Sequence, residues 1–367
     1  MSTTAPVTAT LTKAQGVWLV AERELGSKLR SKAFLISTAF LFVVALGAVV
    51  WGGFAAQNTS ATPIAVAAGA EQYVDGRQGF EITKAPDAAA AEKLVASGDV
   101  DAAVVPDASS PTGFTLVVED SPSTSLLMSF AVIPKVTALD PSATDDVLRY
   151  FIAIGFGLVF MLSAQVFGST IAQSVVEEKQ TRVVELLISA VPTRVLMAGK
   201  VLGNTILAMA QILVLVAIAV VGLTVTGQVA VLQGLGTALV WFAIFFLFGF
   251  VLLAALFAAA AAMVSRQEDI GSTTTPLILL IMAPYFLVIF FNDNPVVLTV
   301  MSYVPFSAPV GMPMRLYLGE AQWWEPLVSL AILAVTCLAA IAVGAKIYEN
   351  SILRMGGRVK LKEASKA

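Results

Sequence analysis

The sequence predicts an all-α polytopic membrane protein with six transmembrane helices and a small extracytoplasmic α/β domain between the first and second. The chain is 57% hydrophobic, and its mean hydropathy is +0.85. Residues 201–265 contain no Asp, Glu, Lys or Arg over 65 positions. Because about 20 apolar residues cross the roughly 30 Å hydrocarbon core of a bilayer, this run can cross twice. Charge, proline and glycine are frequent in a segment near residues 57–146.

The spans follow from the apolar runs in chain order. A polar, glycine-bearing stretch near residues 224–234 divides the long charge-free run into two helices. Hydrophobic length then predicts spans at 33–54, 151–171, 195–222, 235–264, 270–292 and 326–345. An even number of spans places both termini on the same side of the membrane.

Orientation follows from the basic residues. Most of the 22 Lys and Arg residues lie in the N-terminal arm, the loop between spans two and three, and the C-terminal tail. Since such loops stay in the cytoplasm, both termini are predicted cytoplasmic. An arm of about 32 residues before the first span exceeds the length of a signal peptide, so we expect that span to be retained rather than cleaved.

These spans divide the chain into five segments. The prediction is a cytoplasmic amphipathic interface helix at 1–32, the first span at 33–54 and an extracytoplasmic α/β domain at 55–148. A five-span membrane domain follows at 149–347, with a cytoplasmic coupling element at 173–200, and a basic cytoplasmic tail at 348–367.

Within the external domain, short β-branched runs predict strands and an alanine-rich run predicts a helix. Asp87 can cap that helix and Gly98 can end it. The strands are expected at 63–68, 79–83, 100–105 and 114–119, the helix at 87–97 and a second helix at 123–139. Such a domain could handle substrate or dock a partner, or be a folded cap without a ligand.

Several chemistries are excluded by composition. His is absent, and Cys337 is the only cysteine. This excludes His-ligated zinc or haem, a Ser-His-Asp triad and a disulfide within one chain. No G-x-x-x-x-G-K-[ST] motif occurs, so no P-loop is present. We therefore expect no cofactor and no catalytic residue in this chain.

Two amphipathic segments lie on the predicted cytoplasmic side. In 173–200, Glu178 and Arg182 have the favourable i, i+4 order, and Pro192 ends the helix. That element could contact a partner protein or be an ordinary solvated helix. In the N-terminal arm, Trp18 and Leu29 belong to an apolar stripe beside basic residues, which is typical of a helix in the membrane interface. Partner binding and plain anchoring are both open there.

Polar residues inside the spans offer weaker candidates for a pathway. Gln165, Asn204 and Gln211 could line one, although hydrogen bonding between helices explains them equally well. The segment 303–318 is rich in proline and predicts a broken, re-entrant helix. Arg315 in this segment and Glu320 just after it could contribute to a sodium site. The phenylalanines of 242–250 could line an apolar path or simply pack.

Three short motifs carry a resemblance to a known family. They are Glu22-Arg23-Glu24 near the start, Glu177-Glu178-Lys179 with Thr181-Arg182 and Glu185 after the second span, and Gly199-Lys200. With Gly98-Asp99-Val100-Asp101 and Ser302-Tyr303-Val304-Pro305, they resemble the permeases of bacterial type-2 ABC exporters. The N-terminal motif is most similar to the sodium-efflux (Nat-type) branch.

The resemblance implies a permease subunit that pairs with a second permease, as a homodimer or heterodimer, and with ABC ATP-binding subunits. ATP and Mg would bind only in those partners, and nucleic acid would not bind. Coupling to the ATPase would fall to Glu177, Glu178, Thr181, Arg182 and Glu185, and the helix around Arg23 and Leu29 would lie against the ATPase.

The implied setting is the bacterial cell membrane and its lipid. The implied substrate is sodium, or otherwise a drug or lipid-like molecule. Two other functions are alternatives. One is a membrane-anchored scaffold that presents the external domain and transports nothing. The other is an intramembrane enzyme, which the missing His and the lack of facing carboxylates disfavour.

Overall fold

The computed structural model describes residues 12–57, 61–77, 79–119, 124–130, 146–181, 184, 186–187, 191–354 and 364. These residues form two compact units, one within Met1–Val50 and Ser142–Ala367, the other within Trp51–Pro141. The first unit is a helical bundle, and the second contains a four-stranded sheet.

The bundle is built from long apolar helices and a few short ones. Six of its helices are long and apolar enough to cross a membrane, the number that the sequence predicts. In chain order the helices are α1 (Lys13–Leu29), α2 (Lys32–Gln57), α5 (Asp146–Gln180), α6 (Thr193–Val225), α7 (Val229–Ala262), α8 (Ile270–Phe290), α9 (Pro295–Tyr303), α10 (Ala308–Tyr317) and α11 (Glu325–Ile352). Helices α3 and α4 belong to the other unit.

The structure describes both ends of the predicted cytoplasmic element 173–200. Its first eight residues continue α5 to Gln180 and its last eight begin α6 at Thr193. At 1.5 Å per residue, the 35 residues of α5 span about 52 Å, which exceeds the hydrocarbon thickness. The end of α5 is therefore a helical extension of a candidate span.

The outer surface of the bundle is apolar. Ile36 and Phe40 on α2 are 69% and 68% exposed, and Trp323 before α11 is 81% exposed. Apolar side chains at such exposure need a lipid or protein neighbour. Tryptophan is enriched at the membrane–water interface, so Trp323 is consistent with the start of α11 lying at that level.

Aromatic packing joins α5 to α7 in the core. Three phenylalanines of α5 meet three of α7 with ring centroids 5.0 to 5.9 Å apart, as the pairs Phe156–Phe242, Phe160–Phe246 and Phe167–Phe250. Such pairs stabilise beyond the area they bury. These α7 side chains are buried in packing and line no open path.

A helical hairpin lies between α8 and α11. Helices α9 and α10 are separated by a turn at 304–307, so the proline-rich segment is broken, although it begins earlier than residue 303. Asn294 caps α9 by accepting from the backbone nitrogens of Val296 and Val297 at 3.1 and 3.2 Å. A Cβ at Gly311 would lie 3.0 Å from the Ser302 backbone, so glycine permits the close packing of the two helices.

The second unit contains a mixed sheet of order β2-β1-β3-β4. Its elements are β1 (Thr62–Ala67), β2 (Phe80–Ala85), α3 (Ala88–Ala96), β3 (Ala102–Pro106), β4 (Phe114–Val117) and α4 (Thr124–Phe130). The first three strands in the order are parallel, and β4 is antiparallel to β3. The remainder of the predicted helix 123–139 lies outside the described residues.

The boundaries of α3 have the causes that the sequence predicts. The Asp87 carboxylate accepts a hydrogen bond from the Ala90 nitrogen at 2.7 Å, which satisfies one free N–H at the helix start. Gly98 follows the helix with φ of +74°, a conformation that favours glycine. Helix α3 connects β2 to β3, which both run parallel to β1, and its Ala91 and Val95 are buried.

Candidate functional site

The first helix packs against the bundle with a face that carries a carboxylate. Thr12 and Gln15 form a capping box that fixes the start of α1. Its buried side chains include Val20, Ala21 and Glu24. Trp18 and Leu29 of the predicted interface stripe are 52% and 54% exposed.

Two glycines of α6 let the backbone of α1 approach closely. A Cβ at Gly199 would lie 2.4 Å from the Val20 Cβ, and one at Gly203 would lie 2.9 Å from the Ala21 carbonyl oxygen. Any larger residue would push the helices apart. Glycines four residues apart permit such close helix packing in membranes. The close approach brings Glu24 within reach of Lys200, which lies between the glycines in sequence.

Lys200 is the centre of a buried ion network. Its side chain is fully buried, and its Nζ donates to Glu24 Oε1 at 2.8 Å and to Ser174 Oγ at 2.6 Å. The same nitrogen lies 3.0 Å from Glu178 Oε2. One lysine of α6 therefore binds a carboxylate of α1 and a carboxylate and hydroxyl of α5.

Arg23 completes this network. Its Nη2 donates to Glu178 Oε1 and lies 3.3 Å from Glu24 Oε1. We call Arg23, Glu24, Glu178 and Lys200 the four-charge cluster. It holds two cations and two carboxylates, so it is neutral as a whole. Buried charges are tolerated when paired and hydrogen-bonded, and removal of one partner leaves another uncompensated.

The ionisation of Glu24 reflects these competing effects. Burial opposes the charged carboxylate, but the attraction and hydrogen bond of Lys200, followed by those of Arg23, outweigh burial. The pKa of Glu24 is therefore held below its ordinary value. Glu24 is therefore a carboxylate at neutral pH.

Lys179, next to Glu178, is bound differently. It is fully buried, and its Nζ donates to the carbonyl oxygens of Ala262 at 2.8 Å and Ser351 at 2.9 Å. These carbonyls belong to the last turns of α7 and α11, where backbone oxygens lack helical partners and a cation is favourable. The end of α5 is thus tied to four other helices, α1 and α6 through Glu178 and α7 and α11 through Lys179.

The predicted coupling residues divide into three groups. Glu177 and Thr181 are exposed at the end of α5, and the Thr181 hydroxyl donates to the Glu177 carbonyl at 2.8 Å. Glu178 instead belongs to the four-charge cluster. Arg182 and Glu185 lie outside the described residues, so the Glu178–Arg182 pair stays a prediction.

Sequence reasoning assigned no role to Glu24, Lys179 or Lys200. All three lie in the short motifs quoted above, and each is a charge beside residues that the fold buries. That signal was available, but the pairing of Glu24 with Lys200 joins positions 176 residues apart.

The polar residues proposed for a pathway do not form one cluster. Asn204 donates to the Lys200 carbonyl at 2.9 Å, within its own helix. Gln211 donates to Ser163 Oγ at 3.3 Å, which joins α6 to α5. Gln165 is two residues from Ser163 and therefore points to another side of α5. Hydrogen bonding accounts for Asn204 and Gln211.

A second buried ion network lies at the start of α11. Arg315 of α10 pairs with Glu325 and donates to Ser302 Oγ at 3.0 Å and the Glu320 carbonyl at 3.0 Å. Tyr303 donates to the same Glu325 oxygen at 3.1 Å. We call Arg315, Glu325, Tyr303 and Ser302 the Arg315 cluster. Glu320 joins it through its backbone alone, so its carboxylate is not part of a sodium site with Arg315.

Residues 32–346 match the sequence profile of the family described as "ABC-2 family transporter protein". The chain belongs to the ABC-2 family. This family supplies membrane components of transporters, and its permeases normally pair with an ATP-binding subunit. Together with the six helices among the described residues that are long and apolar enough to span a membrane, the match fits a multi-pass membrane protein of this family.

Two curated relatives are similar to this ABC-2 protein over part of their length. "Uncharacterized protein YhaP" of Bacillus subtilis (strain 168) is 29% identical over 238 residues, covering 61% of this chain and 57% of the relative. "Uncharacterized protein MJ1024" of Methanocaldococcus jannaschii is 26% identical over 223 residues, covering 60% and 55%. The chain spans a little over half the length of these relatives, whose names give no substrate.

Proposed function

We propose that this chain is the permease subunit of an ABC exporter, which moves substrate out of the cytoplasm using ATP hydrolysed by a separate subunit. Family membership and six apolar helices support an exporter permease. The absence of a P-loop motif from the sequence agrees with hydrolysis in a partner chain.

The observation that carries this proposal is the four-charge cluster at the end of α5. A partner that contacts exposed Glu177 and Thr181 meets the turn of α5 that also carries Glu178 and Lys179. Because Glu178 binds α1 and α6 while Lys179 binds α7 and α11, displacement of this turn acts on four helices. A partner shifts a bundle between two states only if its contacts differ between them, and we expect the contacts at this turn to differ.

We assign the partner surface to Glu177 and Thr181, with Arg182 and Glu185 added by the family resemblance. Arg23 and Leu29 on α1 extend the same surface, since both are at least partly exposed. This surface is proposed to face the cytoplasm, because the flanking segments are rich in Lys and Arg. The unit within Trp51–Pro141 then lies outside the cell, and a second permease copy or a related permease completes the transporter.

For the substrate we favour a drug or lipid-like amphiphile over sodium. The buried carboxylates among the described residues, Glu24 and Glu325, each already bind a cation. The described residues also contain no group of three or more Asp, Glu, Cys or His side chains that could hold a metal ion. A sodium ion would have to displace a Lys or Arg, whereas apolar substrate needs no such exchange.

The test is ATP turnover by the permease reconstituted with its cognate ATP-binding subunit. Glu177→Lys reverses an exposed charge and is expected to lower both subunit association and stimulated turnover about tenfold. Glu81→Lys, an exposed acid of β2, is the matched control. Turnover should rise with amphiphiles and not with sodium at matched ionic strength.

Normal association and turnover in Glu177→Lys would show that Glu177 is not part of the partner surface. Failure of the wild-type permease to bind or stimulate any ATP-binding subunit would instead favour a non-transporting scaffold. Glu178→Lys is a poorer probe than the sequence suggests, because it would place three cations around Glu24 and disturb folding.

A further inference from the structure

A deep groove on the bundle is separate from the four-charge cluster. Helices α6, α7 and α11 enclose a cavity of about 760 Å³. Its walls are mostly apolar and include Leu202, Val251 and Ile341. We call this cavity the α6–α11 groove. Its volume lies within the range of small-molecule sites.

The charged lining residues all lie at one end of the groove. Arg194 is in the first turn of α6, and Lys346 and Glu349 are in the last two turns of α11. Arg194 Nε donates to Glu349 Oε2 at 2.9 Å. Lys346 forms no ion pair with any described residue, so this end carries a net positive charge.

The length of the groove along α6 corresponds to the thickness of one leaflet. Its lining on α6 runs from Arg194 to Thr205, which is about 16 Å along a helix at 1.5 Å per residue. Half of a 30 Å hydrocarbon core is about 15 Å. A groove with cations at one end and apolar walls of this length matches a headgroup and an acyl chain.

Small residues create the space. Ala198, Ala342 and Ala345 line the groove, where larger side chains would fill it. At the neighbouring Gly344, a Cβ would lie 3.2 Å from the Ala255 carbonyl oxygen, so α11 packs tightly on α7 beneath the groove. The cavity is therefore bounded by a rigid floor.

We propose that the α6–α11 groove is a binding site for one anionic phospholipid, with the headgroup at Arg194 and Lys346 and an acyl chain along the apolar wall. The site is a resident lipid site and does not depend on the exporter function. Cations at the membrane surface select anionic headgroups, and the apolar wall holds either kind of lipid.

The test uses the full chain in nanodiscs of phosphatidylcholine containing a minor fraction of phosphatidylglycerol, with retained lipids counted by native mass spectrometry. The wild type should retain one phosphatidylglycerol in preference to phosphatidylcholine. Lys346→Gln should lower that preference about fivefold, as expected for loss of one surface cation. Arg266→Gln, an exposed arginine outside the groove, should leave it unchanged.

A second variant tests the apolar part of the site. Ala342→Phe should fill the groove and abolish retention of both lipids, whereas Val343→Phe, which adds the same ring to an exposed position outside the lining, should not. Equal retention in Ala342→Phe and wild type, or no phosphatidylglycerol preference in the wild type, would overturn the proposal.

A second copy of the chain is the other possible occupant of the groove, and crosslinking tests for it. Ala342→Cys in a Cys337→Ser background leaves one thiol on the chain. A disulfide-linked dimer formed on oxidation in native membranes would show that a second copy of the chain occupies the groove. That result would contradict the lipid assignment. Monomeric protein that retains the lipid supports it.

Discussion

The two buried ion networks stand at opposite ends of the bundle and differ in how they are assembled. The four-charge cluster joins α1, α5 and α6, with partners 155 and 176 residues apart. The Arg315 cluster joins partners 10 to 22 residues apart. Glu325 begins α11, and Ser351 near the other end of α11 accepts from Lys179, the neighbour of Glu178 in sequence. These two contacts are about 39 Å apart along the helix.

The difference has a physical consequence. Arg315 and Glu325 hold the α9–α10 hairpin against the start of α11, so they fix a local turn of the chain. Glu24 and Lys200 hold a peripheral helix to the bundle across glycine contacts. A network that links separate elements is suited to transmit motion between them, whereas a local network chiefly fixes one shape.

The largest expected effect is that of Lys200→Met. The substitution leaves Glu24 and Glu178 with Arg23 alone, and loss of one partner from a buried ion pair costs about 3–5 kcal/mol. We expect a large drop in thermal stability in detergent and release of α1, measured as increased hydrogen exchange over residues 13–29. Lys13→Met, an exposed lysine on the same helix, is the control. Unchanged exchange in α1 would show that the cluster does not hold this helix.

A smaller effect is expected for Arg315→Met. Glu325 keeps hydrogen bonds from Tyr303 at 3.1 Å and from the Gln322 nitrogen at 3.2 Å, so the cost should be about 2–3 kcal/mol. Hydrogen exchange should rise in the α9–α10 hairpin and not in α1. Adding Glu325→Gln should recover part of the loss, which a double-mutant cycle measures. Strictly additive losses would exclude a coupled network.

Gly203→Val tests the glycine contacts without changing a charge. Its Cβ would lie 2.9 Å from the Ala21 backbone oxygen, so α1 must shift, at a cost of about 1–3 kcal/mol. The melting temperature should fall, and α1 should exchange faster. Gly26→Ala, where a Cβ has no atom within 4 Å, is the matched control and should be neutral or slightly stabilising. Equal effects of the two variants would contradict the close-packing argument.

The smallest expected effect is that of low pH on the docking of α1. The pKa of Glu24 is lowered in the folded protein from an ordinary value of 4.5, so its contribution to stability is present above pH 4.5 and is lost as pH falls through the folded value. Protection of α1 should decline below about pH 4.5. In Glu24→Gln this decline should be weaker, because the titrating group is gone. Identical profiles for the two proteins would show that Glu24 does not control the docking of α1.

Much of the fold was predictable because it depends on local sequence. Apolar runs predicted six membrane helices, and Asp87 and Gly98 predicted both ends of α3. The four-charge cluster was harder to predict from the sequence. The stripe of Trp18 and Leu29 predicted a helix in the membrane interface, and it gave no sign that Glu24 of the same helix is buried against Lys200. A carboxylate is predicted to be solvent-exposed unless a buried cationic partner is known.

The sequence by itself determined that this protein lives in a membrane, how many helices can cross it, and the family to which the short motifs point, because hydrophobic length and local caps need no knowledge of distant residues. Only the tertiary structure decided that Arg23, Glu24, Glu178 and Lys200 form one neutral network and that Lys179 binds the ends of α7 and α11. The reason is that a buried charge is stable only with its partners, and those partners come from helices that the chain brings together only when it folds.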